Sequence, residues 1–263
     1  MNMAATSFAT SGSVRHGEVL LEIEDLRVAY GKAEVVHGVS ITVHAGEFVV
    51  LLGRNGAGKS TILHAVSGLI PKLSGRVRFA GADISHAQAR EIVRAGVVNV
   101  LEGHRVFTTL SVEDNLLIGT HANAPRGDRS KLEGIYALFP ELADRRQQLA
   151  SRLSGGQQQI LAVAQGVIGD PRLLVLDEPS GGLAPIVIDR VLEVASRLCA
   201  GGVAILLVEQ LVEKALRHAH WSYLIETGRV AAAASSSDIQ RSEMLHKAYL
   251  GGAIAAETRA LQE

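Results

Sequence analysis

Residues 48–61 read FVVLLGRNGAGKST. An apolar run, Phe48 to Leu52, ends in a segment that matches G-x-x-x-x-G-K-[ST] from Gly53 to Ser60, and Thr61 leads into the helix-like TILHAVSGL. Strand, glycine-rich loop and helix in that order are the context a phosphate-binding loop requires. Gly53, Gly56 and Gly58 let the backbone turn its N–H groups inward, with Arg54, Asn55 and Ala57 between them. Lys59 brings a positive charge to the β- and γ-phosphates, and Ser60 offers a hydroxyl to Mg²⁺. The positive end of the helix dipole falls at the same place. This stretch alone specifies a nucleotide phosphate and leaves kinases, GTPases and motor ATPases open.

A second strand supplies acids. Leu173 to Leu176 are apolar and are followed by Asp177 and Glu178, so a buried strand delivers two carboxylates to the sheet edge where ligands bind in open α/β folds. Their expected roles differ: Asp177 holds the Mg²⁺ shell, and Glu178, one residue further on, orients the water that attacks the γ-phosphate.

Around these two strands, β-branched runs (LLEIEDLRVAY, VVNVL, VAILLV, SYLIE) alternate with amphipathic or alanine-rich stretches. Nearly continuous apolar runs indicate a largely parallel sheet covered on both faces. Between about residues 81 and 169 the rhythm changes, and SVEDNLLIGTHA, KLEGIYALFPEL and GGQQQILAVAQGVIG all read as helices. We therefore expect a helical subdomain inserted in an α/β core, within one domain over 19–252. Residues 1–18 read as a flexible leader and 253–263 as a tail. The low-complexity AAAASSS beginning at Ala231 reads as a turn or loop.

The bulk numbers exclude other classes. The chain has 263 residues, with 26 basic against 27 acidic side chains, so no generic basic surface for nucleic acid is expected. Its longest apolar runs, Phe48–Leu52 and Val203–Val208, are far shorter than the roughly 20 residues that cross a bilayer as a helix. The single Cys199 sits in a helix-like run and reads as an inert, half-buried thiol of a reducing compartment. Ten histidines are scattered without metal-ligand spacing beyond His218-Ala219-His220, which reads as a solvated or capping pair.

Residues 153–157, LSGGQ, precede a helix, so Ser154, Gly155 and Gly156 form a second small anion site about twenty residues before Asp177. Phosphate loop, signature and acid pair in this order resemble the ABC ATPases over Leu21 to Gly252. More finely, GRNGAGKST, RVFTTLSVEDNL, YALFPEL, LDEPSGGLAP, LLVEQ and the closing AYLGG resemble the smaller ATPase of the branched-chain amino-acid importers.

The resemblance implies a P-loop NTPase core of mainly parallel sheet with an antiparallel β subdomain and the inserted helical one. It implies ATP and Mg²⁺ as cofactors, adenine stacked on Tyr30, and two subunits packed head to tail. In that arrangement Ser154, Gly155, Gly156 and Gln157 of each subunit close on ATP held by residues 53–61 of the other. It implies as partners a related ATPase subunit, two membrane-spanning permease subunits and, indirectly, a substrate-binding protein. The expected location is cytoplasmic, peripheral on the inner face of the cell membrane. Urea or short-amide import remains a second reading, and a soluble non-transport ATPase a third; homodimer and heterodimer both stay open.

Several positions depart from the wider family. Glu102 stands where most ABC ATPases have Gln, and Gln210 where they have the switch His; both replacements recur in the branched-chain subgroup. Glu102 could ligate Mg²⁺ or its water, at the cost of a second negative charge near the γ-phosphate. Gln210 can hydrogen-bond the γ-phosphate and the attacking water but carries no imidazolium charge. Ala184 replaces an Asp that makes a cross-dimer contact in many relatives, and His104 an Arg usual in the subgroup.

Overall fold

A computed structural model describes residues 17–103, 105–120 and 129–241. Most of the leader and the whole tail, together with AYLGG and His104, lie outside the described residues.

The chain opens on two long strands, β1 (Val19–Tyr30) and β2 (Ala33–His44), followed by β3 (Phe48–Leu52) and helix α1 (Lys59–Val66). Next come β4 (Ser74–Phe79), β5 (Ala82–Asp83), α2 (Ala89–Ala95) and β6 (Val97–Val100). The helical stretch is α3 (Val112–Gly119), α4 (Leu132–Leu138), α5 (Pro140–Ala143) and α6 (Gly155–Val167). The remainder is β7 (Leu173–Asp177), α7 (Pro185–Ala200), β8 (Ala204–Val208), α8 (Val212–His218), β9 (Trp221–Glu226), β10 (Arg229–Ser235) and α9 (Ser236–Arg241).

The strands form two sheets: an antiparallel one in the order β2-β1-β4-β5, and a six-stranded one in the order β10-β9-β3-β8-β7-β6. In the second sheet β9, β3, β8, β7 and β6 run parallel, and only β10 is antiparallel to its neighbour. Its central strands are buried on both faces, which explains their unbroken apolar runs. Phe48, Val50, Leu174, Leu176, Ile205 and Leu207 face a core built with α3 to α8. The alternate residues Val49, Leu51, Leu173, Val175, Leu206 and Val208 face a second core shared with α1 and the antiparallel sheet. The period-2 alternation of side chains thus divides each strand between two hydrophobic layers. Tyr223 on β9 joins the sheets, its hydroxyl accepting from Thr42 N at 3.0 Å and donating to Thr42 O at 3.2 Å.

Three differences from the sequence reading have physical causes. The stretch AAAASSS is not a turn or loop. Its alanines belong to β10, which pairs Ala232 with Leu224 and Ala233 with Tyr223, and its last two serines open α9. Strand pairing with β9 overrides the weak intrinsic β-preference of alanine. The range 81–169 opens on a short strand the sequence reading did not mark, since β5 pairs with β4; the strand read at VVNVL is present as β6, parallel to β7. The continuous helical reading of KLEGIYALFPEL divides at Phe139 into α4 and α5, because Pro140 cannot continue a helix but suits the first position of the next.

Candidate functional site

Strand order creates the site. Because β8 lies between β3 and β7, the carboxyl ends of the three strands are neighbours. The loops leaving them therefore meet: residues 53–58 after β3, Glu178 after β7, and Glu209 and Gln210 after β8.

The phosphate loop has the backbone its glycines predict. Gly53, Gly56 and Gly58 all have positive φ, of 152°, 77° and 98°, and a Cβ on Gly53 would lie 2.2 Å from Ile225 O. Only glycine fits so close a backbone approach. Lys59 is 3% exposed and donates to Gly53 O at 2.9 Å and Arg54 O at 3.1 Å, so its charge is held inside the loop. Arg54 and Asn55 are exposed at the turn, Ala57 is buried, and Thr61 is buried in the first turn of α1.

Ser60 donates to Asp177 Oδ1 at 2.8 Å. The two residues expected at Mg²⁺ are thus in direct contact although 117 positions apart. Asp177 is 2% exposed, and burial raises its pKa above the usual carboxylate range. The Ser60 hydrogen bond and His64 pull it back down, while the charges of Glu178 and Glu102 push it further up. His64 Nε2 stands 3.4 Å from Asp177 Oδ2. The sequence reading left His64 among the scattered histidines. The available signal was its position four residues after Ser60 on the same helix, hence on the same face.

Glu178 has φ of 43°, in the left-handed region that non-glycine residues seldom occupy. Such strain is commonly stored at functional positions. Its carboxylate lies 3.5 Å from Lys59 Nζ and accepts a short hydrogen bond from Gln210 Nε2, so the two expected catalytic residues touch. Glu102 follows β6 and is exposed; it faces the loop after β7, where a Cβ on Gly181 would lie 3.9 Å from Glu102 Oε1.

Two expected groups stand apart from this cluster. Tyr30 is 51% exposed at the end of β1, with its ring free to be covered. Ser154 caps α6 with a reciprocal capping box: Gln157 N donates to Ser154 Oγ at 3.3 Å, and Ser154 N donates to Gln157 Oε1 at 3.0 Å. Gly155 leads the helix and Gly156 packs against Val187 of α7, where a Cβ would meet Val187 Cγ2 at 2.7 Å. Among the described residues no hydrogen bond or ion pair links residues 154–157 to residues 53–61, Asp177 or Glu178.

The other histidines of interest are engaged structurally. His218 Nδ1 pairs with Ser196 Oγ at 2.7 Å, burial lowers its pKa, and His220 Nδ1 accepts from Phe48 N at 3.1 Å. Cys199 is buried with its pKa pushed up to about 11 by burial first and by Glu47 second. Among the described residues no helix is long and apolar enough to cross a membrane, and no three His, Cys, Asp or Glu side chains form a metal cluster.

A glycine loop clamped around a buried lysine, a serine against a strand-end aspartate and a strained glutamate beside them define a P-loop nucleotide hydrolase. The family model for ABC transporters matches residues 36–181. The chain is 38% identical over 233 residues to the high-affinity branched-chain amino acid transport ATP-binding protein BraG of Pseudomonas aeruginosa, covering 89% of this chain and 100% of that one. It is 29% identical over 233 residues to the lipopolysaccharide export system ATP-binding protein LptB of Escherichia coli, covering 88% and 97%. The solved ADP conformation of an ATP-binding cassette of an ABC transporter superposes with a TM-score of 0.78 at 23% identity, covering 89% of this chain and 99% of that one. This chain belongs to the ABC transporter family and is an ATP-binding, ATP-hydrolysing subunit.

Proposed function

We propose that the chain energises the import of branched-chain or other small amino acids, as one of two ATPase subunits on the inner face of the membrane beneath two permease subunits. The observation that carries this reading is the 38% identity to a branched-chain amino acid transport ATPase across that protein's whole length. The match to an export ATPase is lower, at 29%.

Within the site, Lys59 and backbone N–H groups of the glycine-rich loop after β3 hold the β- and γ-phosphates. The Ser60–Asp177 contact fits Mg²⁺, because both supply the hard oxygen donors it prefers and the carboxylate is already fixed by the hydroxyl. Bound there, the ion would neutralise phosphate charge; Glu102 is a further candidate ligand, directly or through water. Glu178 accepts a hydrogen bond from the attacking water, and Gln210 holds the Glu178 carboxylate and reaches the γ-phosphate. The water oxygen bonds to the γ-phosphorus as the bond to the β–γ bridging oxygen breaks, releasing ADP and phosphate. Tyr30 covers the adenine. The separation of Ser154–Gln157 from this cluster supports a composite site in which each signature acts on the other subunit's nucleotide.

Glu178→Gln tests the catalytic assignment: ATP binding should persist while turnover falls at least about a hundredfold, and comparable steady-state hydrolysis would remove Glu178 from the role. The transport assignment is tested by co-purification with membrane subunits in lipid, then ATPase measurement with branched-chain amino acids, urea and short amides delivered by the cognate binding protein. Stimulation by the branched-chain amino acids is expected; stimulation by urea alone would replace the solute, and absence of any membrane partner would overturn the importer reading.

A further inference from the structure

Glu209, the last residue before Gln210, is 0% exposed. One of its oxygens, Oε1, collects three donors: Ser180 Oγ at 2.6 Å, Gln210 N at 2.7 Å and Leu211 N at 3.1 Å. Its other oxygen, Oε2, is buried without a hydrogen-bond partner. An apolar side chain of the same size would pack there without that desolvation cost; what the carboxylate adds is the grip of Oε1 on its three donors.

The bonds close a ring. From Glu178 the chain passes through Pro179 to Ser180, whose hydroxyl bonds Glu209; Glu209 bonds the backbone of Gln210, and the Gln210 side chain returns to Glu178 Oε2. The strand ends are tied across the same gap by Glu178 N donating to Val208 O at 3.0 Å. We infer that Glu209 is a positioning residue: by gripping Ser180 with the Gln210–Leu211 backbone, it couples the loop after β7 to the loop after β8 and holds the Gln210 amide against Glu178.

The inference rests on the reading of Gln210 as a residue of the hydrolytic site. In the full-length chain, Glu209→Ala should lower kcat about tenfold with KM for ATP changed less than twofold. Gln210→Ala should lower kcat by at least as much. Adding Glu209→Ala to Gln210→Ala should cost less than a further twofold, because a residue acting through Gln210 has nothing left to position. Should Glu209→Ala fail to fold, Ser180→Ala removes one arm of the ring and should lower kcat several-fold, again with no further loss in the Gln210→Ala background. Losses that multiply in either double variant, or wild-type kcat in Ser180→Ala, would overturn the positioning role while leaving Gln210 in the site. Full turnover in Gln210→Ala would overturn both.

Discussion

Gln210, which by resemblance stands where the wider family has a switch His, places a neutral amide against the strained Glu178 carboxylate. The Gln210→His variant should acquire a pH dependence of kcat between about pH 6 and 7, the range in which a histidine titrates, beyond any the natural chain shows, because Gln210 itself does not titrate; a pH–rate series on both proteins checks it. Cys199 gives a second residue-scale expectation, with the sign set by its raised pKa. The unfolded thiol loses its proton near the ordinary value and the folded one at about 11. Folding therefore favours the protonated form, and stability falls as pH rises through that window. At pH 8, iodoacetamide should label the native chain at least about a hundredfold more slowly than the urea-unfolded chain. The sequence was sufficient to mark Cys199 as inert, since no activating residue surrounds it. It could not show that burial goes nearly to completion, because that depends on Gly46, 153 positions away, accepting from Sγ at 3.2 Å.

Among the elements, the start of α6 joins an observed helix cap to a proposed nucleotide contact. Ser154 caps the helix, and removing such a cap costs about 1 kcal/mol. Ser154→Ala should lower the unfolding midpoint by the few degrees that such a loss implies, yet depress ATP turnover by at least about tenfold if the signature acts on a partner's nucleotide. Calorimetry beside an ATPase assay separates the two effects. Helix α3 meets α6 at Gly119, where a Cβ would lie 2.2 Å from Gln165 O. Gly119→Ala should force the helices apart and destabilise the chain by about 1–3 kcal/mol, read as a shift in denaturant midpoint. Helix periodicity announced α3 and α6 as elements. Their closeness at Gly119 was invisible, because in SVEDNLLIGTHA that glycine is only one more position of a helical run and its neighbour Gln165 lies in another helix.

At the scale of the whole molecule, two sheets share one hydrophobic layer and are pinned polar-side by Tyr223 on Thr42. Tyr223→Phe should cost about 0.5–1.5 kcal/mol, the net worth of a lost hydrogen bond, while unfolding stays a single transition because the shared apolar layer remains. Denaturant melts followed by far-UV and tryptophan signals should still coincide. What the sequence determined by itself was the chemistry available: a strand–glycine loop–helix cradle, an acid pair at a strand end, a signature leading into a helix and alternating strands and helices. These are local patterns, in which spacing and residue type suffice. Only the tertiary structure decided which chemistry meets. Placing β8 between β3 and β7 brings Gln210 to Glu178, Ser60 and His64 to Asp177, and Ser180 to Glu209. Pairing with β9 likewise turns an alanine run that reads as a loop into the edge strand β10. Strand order is set by burial of apolar faces over the entire chain, and no local window of sequence contains it.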